Sequence, residues 1–125
     1  MCIRDRSGHL YFVEDTSNIF TDFSALIVNG HTEGQMIPHI RYKDKTIVFV
    51  ADLLPSSGHI PLPYVMGYDT KPLITLSEKE KFLNEAADKE YILFLEHDNY
   101  SECCTVQHTE KGVRLKDTFK LNEII

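Results

Sequence analysis

"TIVFVAD", Thr46 to Asp52, is an unbroken apolar run closed by a carboxylate, and its reading decides the fold. A strand with one wet face alternates apolar and polar residues; a run without alternation is a strand covered on both faces. Two more stretches share the design. "FSALIV" (Phe23 to Val28) leads into Asn29-Gly30-His31, and "YILFLEHD" (Tyr91 to Asp98) ends in His97 and Asp98. Three doubly covered strands predict the interior of a layered α/β architecture.

Between the second and third runs lies "SEKEKFLNEAADKE", the clearest helix. Phe82, Leu83, Ala86 and Ala87 make one apolar stripe, Glu85 and Lys89 form a surface pair, and Ser77 with Glu80 matches a capping box at its start. One helix cannot cover both faces of a sheet, so part of the covering is expected from outside this chain. "HLYFVED" (His9 to Asp15) reads as a short strand followed by a turn at "DTSN". "MIPHIRYK" is a further strand with Ile37 and Ile40 as inward positions, and "TVQHTEKGVRL" is a hairpin turning at Lys111 and Gly112. "LLPSSGHIPLPYVMGYDTKPLIT", rich in proline and glycine, is too long for an idle connection and too apolar for disorder. It reads as a pocket wall, with Tyr64, Met66 and Tyr68 facing a substrate and His59 either facing it too or anchoring the loop backbone. Asp69 reads as a turn cap, and His39 and His108 as solvent-facing.

Composition narrows the function classes. The net charge is −6 with no basic stripe, which argues against nucleic acid as a partner. No apolar run reaches bilayer length, which argues against a membrane span. The three cysteines, Cys2, Cys103 and Cys104, form no disulfide framework and point to a reducing, cytoplasmic setting. Cys103 and Cys104 read as strand neighbours, one thiol in and one out, without a redox role. "MCIRDRS", residues 1–7, matches nothing that follows and reads as a non-native leader ahead of 8–125.

Each buried run therefore ends in a potential metal ligand: His31, Asp52 and His97. Strand ends hold donors rigidly while leaving them open to substrate. Two imidazoles and a carboxylate suit zinc, with iron or manganese as alternatives. Asp52 has two oxygens and could bridge two divalent ions, each imidazole then serving one. A hydroxide shared by the ions would attack an ester, lactone, amide or phosphoester. Gly30 and Gly34 would let backbone pack closely at the turn, and Thr32 would support a neighbouring ligand by hydrogen bonding.

"GHTEGQ", "VFVADLLP" and "LFLEHD", in that order and spacing, resemble the later metal motifs of the metallo-β-lactamase-fold hydrolases. "HIPLPYVMGYDTKPLITLSEKEKFL" resembles the segment after the bridging aspartate in the lactonase-like and organophosphate-hydrolase-like branches. The resemblance covers nearly all of the chain after the leader. It implies that His31 binds the first metal, Asp52 bridges and catalyses, and His97 binds the second. It implies a small-molecule substrate, a homodimer being compatible with it, and a four-layer αββα sandwich with a mixed sheet. The family's principal H-x-H-x-D-H string is absent here, and His9, His39, His59 and His108 do not reproduce its spacing. The resemblance thus implies the carboxy-terminal half of such an enzyme, inactive alone. The competing expectations are a non-catalytic module with vestigial ligands and a same-fold iron oxygenase or thioesterase.

Overall fold

A computed structural model describes residues 6–13 and 16–125. Seven strands form one sheet in chain order: β1 (Ser17–Phe20), β2 (Phe23–Val28), β3 (Gln35–Tyr42), β4 (Lys45–Phe49), β5 (Ile92–Phe94), β6 (Cys103–Thr109) and β7 (Gly112–Phe119). Every neighbouring pair is antiparallel except β4 and β5, which run parallel with Val48 opposite Leu93. A parallel pair needs a crossover, and α1 (Pro72–Asp88) lies within it. Asp52 and His97 consequently leave the same end of the parallel pair, where α/β sheets present their ligand sites.

The helix buries Thr75, Lys79, Phe82, Leu83 and Ala86, a stripe at helical spacing. Phe82, Leu83 and Ala86 share a core with Val28, Ile37, Val48, Leu93, Cys104 and Val106. Full burial of one such aliphatic or aromatic side chain stabilises by about 1.5–3 kcal/mol, so this face is the main source of cohesion. Alternation along the strands sends the next residues to the other face. There Phe23, Ile40, Ile47 and Ile92 align across β2 to β5, and Phe49 stacks on Phe94 with centroids 5.9 Å apart. That face is apolar, as runs without alternation require, yet among the described residues no helix covers it and Ile40 is 42% exposed. Ile37 and Ile40, three apart, fall on opposite faces, so only Ile37 points to the helix-side core.

Four other expectations change. The first strand is Ser17–Phe20, where a turn was expected, while 9–13 form no strand; Glu14 and Asp15, like Met1 to Asp5 of the expected leader, lie outside the described residues. The helix begins at Pro72, not Ser77, because proline at the first helical position has no amide to leave unpaired and its φ suits the helix. Ser77 and Glu80 are then interior, and no capping box forms. The Lys89 ammonium does meet the Glu85 carboxylate at 2.8 Å. Cys103 and Cys104 are both fully buried free thiols, rather than one in and one out. Burial pushes them up to about 11 and about 12, which keeps both protonated. His39 is half-buried against the rings of Phe82 and Tyr91, whereas His108 is exposed and paired with Asp88. Among the described residues no helix is long and apolar enough to cross a membrane.

Candidate metal centre

The three strand exits converge. Asp52 follows β4 in a short 3-10 turn, Ala51–Leu53, and Ala51 adopts φ 45, a left-handed conformation that costs a non-glycine residue free energy. The strained residue directly precedes the carboxylate. Asp52 Oδ2 lies 3.4 Å from His31 Nε2, and Oδ1 lies 3.1 Å from His97 Nε2. One carboxylate thus offers a separate oxygen to each imidazole. Two donors about 2.1 Å from one tetrahedral ion sit about 3.4 Å apart, so both spacings suit shared coordination of a zinc-like cation. Glu96 adds a carboxylate to this group: donor atoms of Asp52, Glu96 and His97 all lie within 4.8 Å of one another. Its acidic side chain directly precedes His97, a signal available in the sequence. The donor set fits divalent ions but gives each only one imidazole and a shared carboxylate, fewer than a closed zinc shell needs.

The two imidazoles have different settings. His31 Nδ1 lies 2.8 Å from Asp69 Oδ1, and the Asp69 side chain is only 1% exposed. Asp69 was expected to cap a turn; instead it reaches the histidine across the fold. Its second oxygen, Oδ2, is buried without a hydrogen-bond partner among the described residues. Lys79, fully buried in α1, is coupled to the Asp69 charge, and its ammonium donates to the carbonyls of Pro61 (2.9 Å), Leu62 (3.3 Å) and Tyr64 (2.7 Å). Desolvation brings Lys79 down to about 8, with the Asp69 charge pulling it back up. His97 has a side chain 54% exposed, and among the described residues nothing binds its Nδ1.

The residues expected to form a substrate wall differ in exposure. Lys79 holds the 61–64 segment by its carbonyls, which leaves Tyr64 61% and Tyr68 83% exposed and Met66 half-buried. His59 is turned further in, its Nδ1 2.8 Å from Ser56 Oγ. Desolvation and the Lys79 charge lower its pKa, against the opposing pull of Asp69. Thr32, expected to support a ligand, is exposed and forms no hydrogen bond among the described residues. The Thr70 hydroxyl instead reaches the carbonyls of Gly30 (3.3 Å) and His31 (3.1 Å).

No family model and no curated protein sequence matches this chain. Solved structures do. A probable metal-dependent hydrolase from Staphylococcus aureus superposes with a TM-score of 0.74 at 21% identity, over 93% of this chain and 43% of that one. AidC, a dizinc quorum-quenching lactonase solved with N-hexnoyl-L-homoserine, gives 0.75 at 23% identity, over 91% of this chain and 40% of its own. AbOPH, a hydrolase in the beta lactamase superfamily, gives 0.70 at 19% identity, over 82% and 37%. The chain therefore spans about two-fifths of the proteins it matches. Its mixed sheet and crossover helix have the metallo-β-lactamase fold.

Proposed function

We propose that this chain is the carboxy-terminal part, residues 8–125, of a metal-dependent hydrolase and supplies one flank of a two-ion centre. Asp52 is the bridging ligand, with His31 on one ion and His97 on the other. The observation that supports this reading is the single carboxylate facing two imidazole nitrogens, one oxygen each, at 3.4 and 3.1 Å. Zinc is the favoured ion by donor chemistry. Bound ions would supply a Lewis acid and a water acidic enough to act as a nucleophile at neutral pH.

The chain's own residues set the geometry of that chemistry. Asp52 stands between the two imidazoles, one oxygen towards each, directly after β4. His59, half-buried and carrying a lowered pKa, is neutral over most of the physiological range. It is suited to hydrogen-bond a neutral polar group of a substrate. Tyr64, Met66 and Tyr68 offer apolar surface beside it. The lactonase neighbour was solved with an acyl-homoserine product, so neutral lactones and esters are the first class to test, ahead of amides and phosphoesters. The net charge of −6 also disfavours polyanions. A cytoplasmic setting belongs to the same proposal, resting on two buried free thiols without a disulfide.

The test is Asp52→Ala in the full-length protein, with metal content and turnover of a lactone and ester panel measured together. We expect loss of about one equivalent of metal or more and a fall in turnover of at least about a thousandfold. Undiminished turnover by a pure, metal-loaded variant would remove the hydrolase reading. Upstream coding sequence offers an independent check: an H-x-H-x-D-H string at a strand end supports the enzyme, whereas its absence favours a non-catalytic module.

A further inference from the structure

One contiguous segment holds both the main chain around His31 and the Nδ1 side of its ring. The amide of Asn29 donates to Glu78 Oε2 at 2.7 Å and that of Gly30 to Glu78 Oε1 at 2.8 Å, one carboxylate oxygen for each of two successive N–H groups. On the other side of the same peptides, the Lys71 amide donates to the Gly30 carbonyl at 2.8 Å, and the Thr70 amide to the His31 carbonyl at 3.2 Å. Thr75 packs so tightly on Gly30 that a side chain there would collide with its backbone and hydroxyl. Asp69 then takes the ring at Nδ1. Main chain and imidazole are both held by residues 69–78.

We infer that Asp69 and Glu78 are positioning residues for His31: Glu78 fixes its backbone, and Asp69 fixes the ring with a proton on Nδ1. A carboxylate can only accept, so the 2.8 Å contact requires a proton on Nδ1, which leaves Nε2 to carry the lone pair whenever the ring is neutral. Nε2 faces Asp52 Oδ2 at 3.4 Å, so in the neutral ring a lone pair and a carboxylate oxygen point at the same space. Such an electron-rich pair is ready for a cation before any cation arrives. Arranging it beforehand removes an ordering cost from binding. The assignment of the proton follows from hydrogen-bond chemistry alone; only its consequence for ion binding rests on the metal-centre reading.

The experiment is nitrogen-15 imidazole NMR on the metal-free full-length protein in mildly alkaline buffer, alongside cobalt(II) binding. The wild type should show His31 protonated at Nδ1 and bare at Nε2. Asp69→Asn keeps the shape but can donate to Nδ1, so the proton should move to Nε2 and cobalt affinity should fall about 10–100-fold. Glu78→Ala should leave Asp69 in place while the Asn29 and Gly30 amides exchange at least about tenfold faster. If that variant fails to fold, Glu78→Gln, which retains one acceptor oxygen, should expose one of the two amides. A wild-type ring protonated at Nε2, or an unchanged tautomer in Asp69→Asn, would overturn the assignment for Asp69. Unchanged exchange in both Glu78 variants would overturn it for Glu78. The expected tautomers without cobalt binding would leave the positioning roles standing and remove the metal reading instead.

Discussion

The loops that carry His31 and His97 follow the same plan, a buried strand running out to an imidazole, but they are held differently. At His31 the side chain is 15% exposed, the ring is bound at Nδ1, and the neighbouring amides and carbonyls are taken up by residues 69–78. At His97 the side chain is 54% exposed and the loop is tied through its backbone and Asp98 rather than through the ring: its own amide donates to the Pro55 carbonyl at 3.0 Å, and Asp98 accepts from Ser57, Tyr100 and Ser101. A strand end alone therefore does not make a rigid mount. Rigidity comes from what docks on the loop after the strand. In a two-ion centre, this asymmetry would give one firm wall and one that can yield to a substrate.

Gly30→Ala attacks the firm side most directly. The new methyl would meet the backbone of Thr75, which cannot move without shifting the start of α1. Overpacking of this kind typically costs about 1–3 kcal/mol, and the absence of a flexible neighbour places this site at the upper end. Asn99→Ala, in the exposed part of the His97 loop, should change stability by less than about 0.5 kcal/mol. Chemical denaturation of both variants checks the contrast. Similar midpoints would mean that the two loops are equally compliant.

Asp98→Asn probes the looser side at its strongest tie. Burial acts to raise this carboxyl, but the Ser57 hydroxyl and amide and the amides of Tyr100 and Ser101 donate to it and hold it down to about 2. Hydrogen bonds to a charged group contribute about 1.5–3 kcal/mol each in favourable settings, less where solvent reaches them, so the variant should lose about 1–2 kcal/mol at neutral pH. The folded carboxyl titrates below its ordinary 3.8. Its contribution is therefore whole above that value and is lost as the pH falls towards 2. The wild type and Asp98→Asn should converge in stability across that acid window; a constant gap would show that charge plays no part in the tie.

How much of this could be read from the chain follows from the range of each interaction. Unbroken apolar runs gave away β2, β4 and the strand before His97, because burial on both faces leaves its mark in each strand's own residues. His31, Asp52 and His97 were legible for the same reason: they sit where those runs stop. Asp69 and Glu78 were not. Asp69 is 38 residues from His31, and Glu78 is 49 from Asn29. Their roles depend on how the crossover helix docks, which no local pattern records. The start of α1 was misplaced because Ser77 and Glu80 have capping-box spacing, while the competing signal, Pro72, stood in a proline-rich stretch. Thr32 was chosen by adjacency to His31, and the hydroxyl that reaches the loop belongs to Thr70.

That last exchange yields the smallest expected effect and the finest test of the contrast between the loops. Thr70 stands just ahead of α1, and its hydroxyl donates to the His31 carbonyl at 3.1 Å and approaches that of Gly30 at 3.3 Å. Thr70→Ala removes a shared hydrogen bond but leaves the Thr70 amide on the same His31 carbonyl. The cost should be about 0.5–1.5 kcal/mol, the net worth of one such bond. Thr32→Ala removes an exposed side chain with no described partner, and the change should stay within about 0.5 kcal/mol. Hydrogen exchange adds spatial resolution: Thr70→Ala should speed exchange of the Lys71 amide, whose acceptor is the Gly30 carbonyl, while amides in the His97 loop stay as they were. Equal effects from the two threonines would show that the loop is held by its backbone contacts and by Asp69, with the Thr70 hydroxyl incidental.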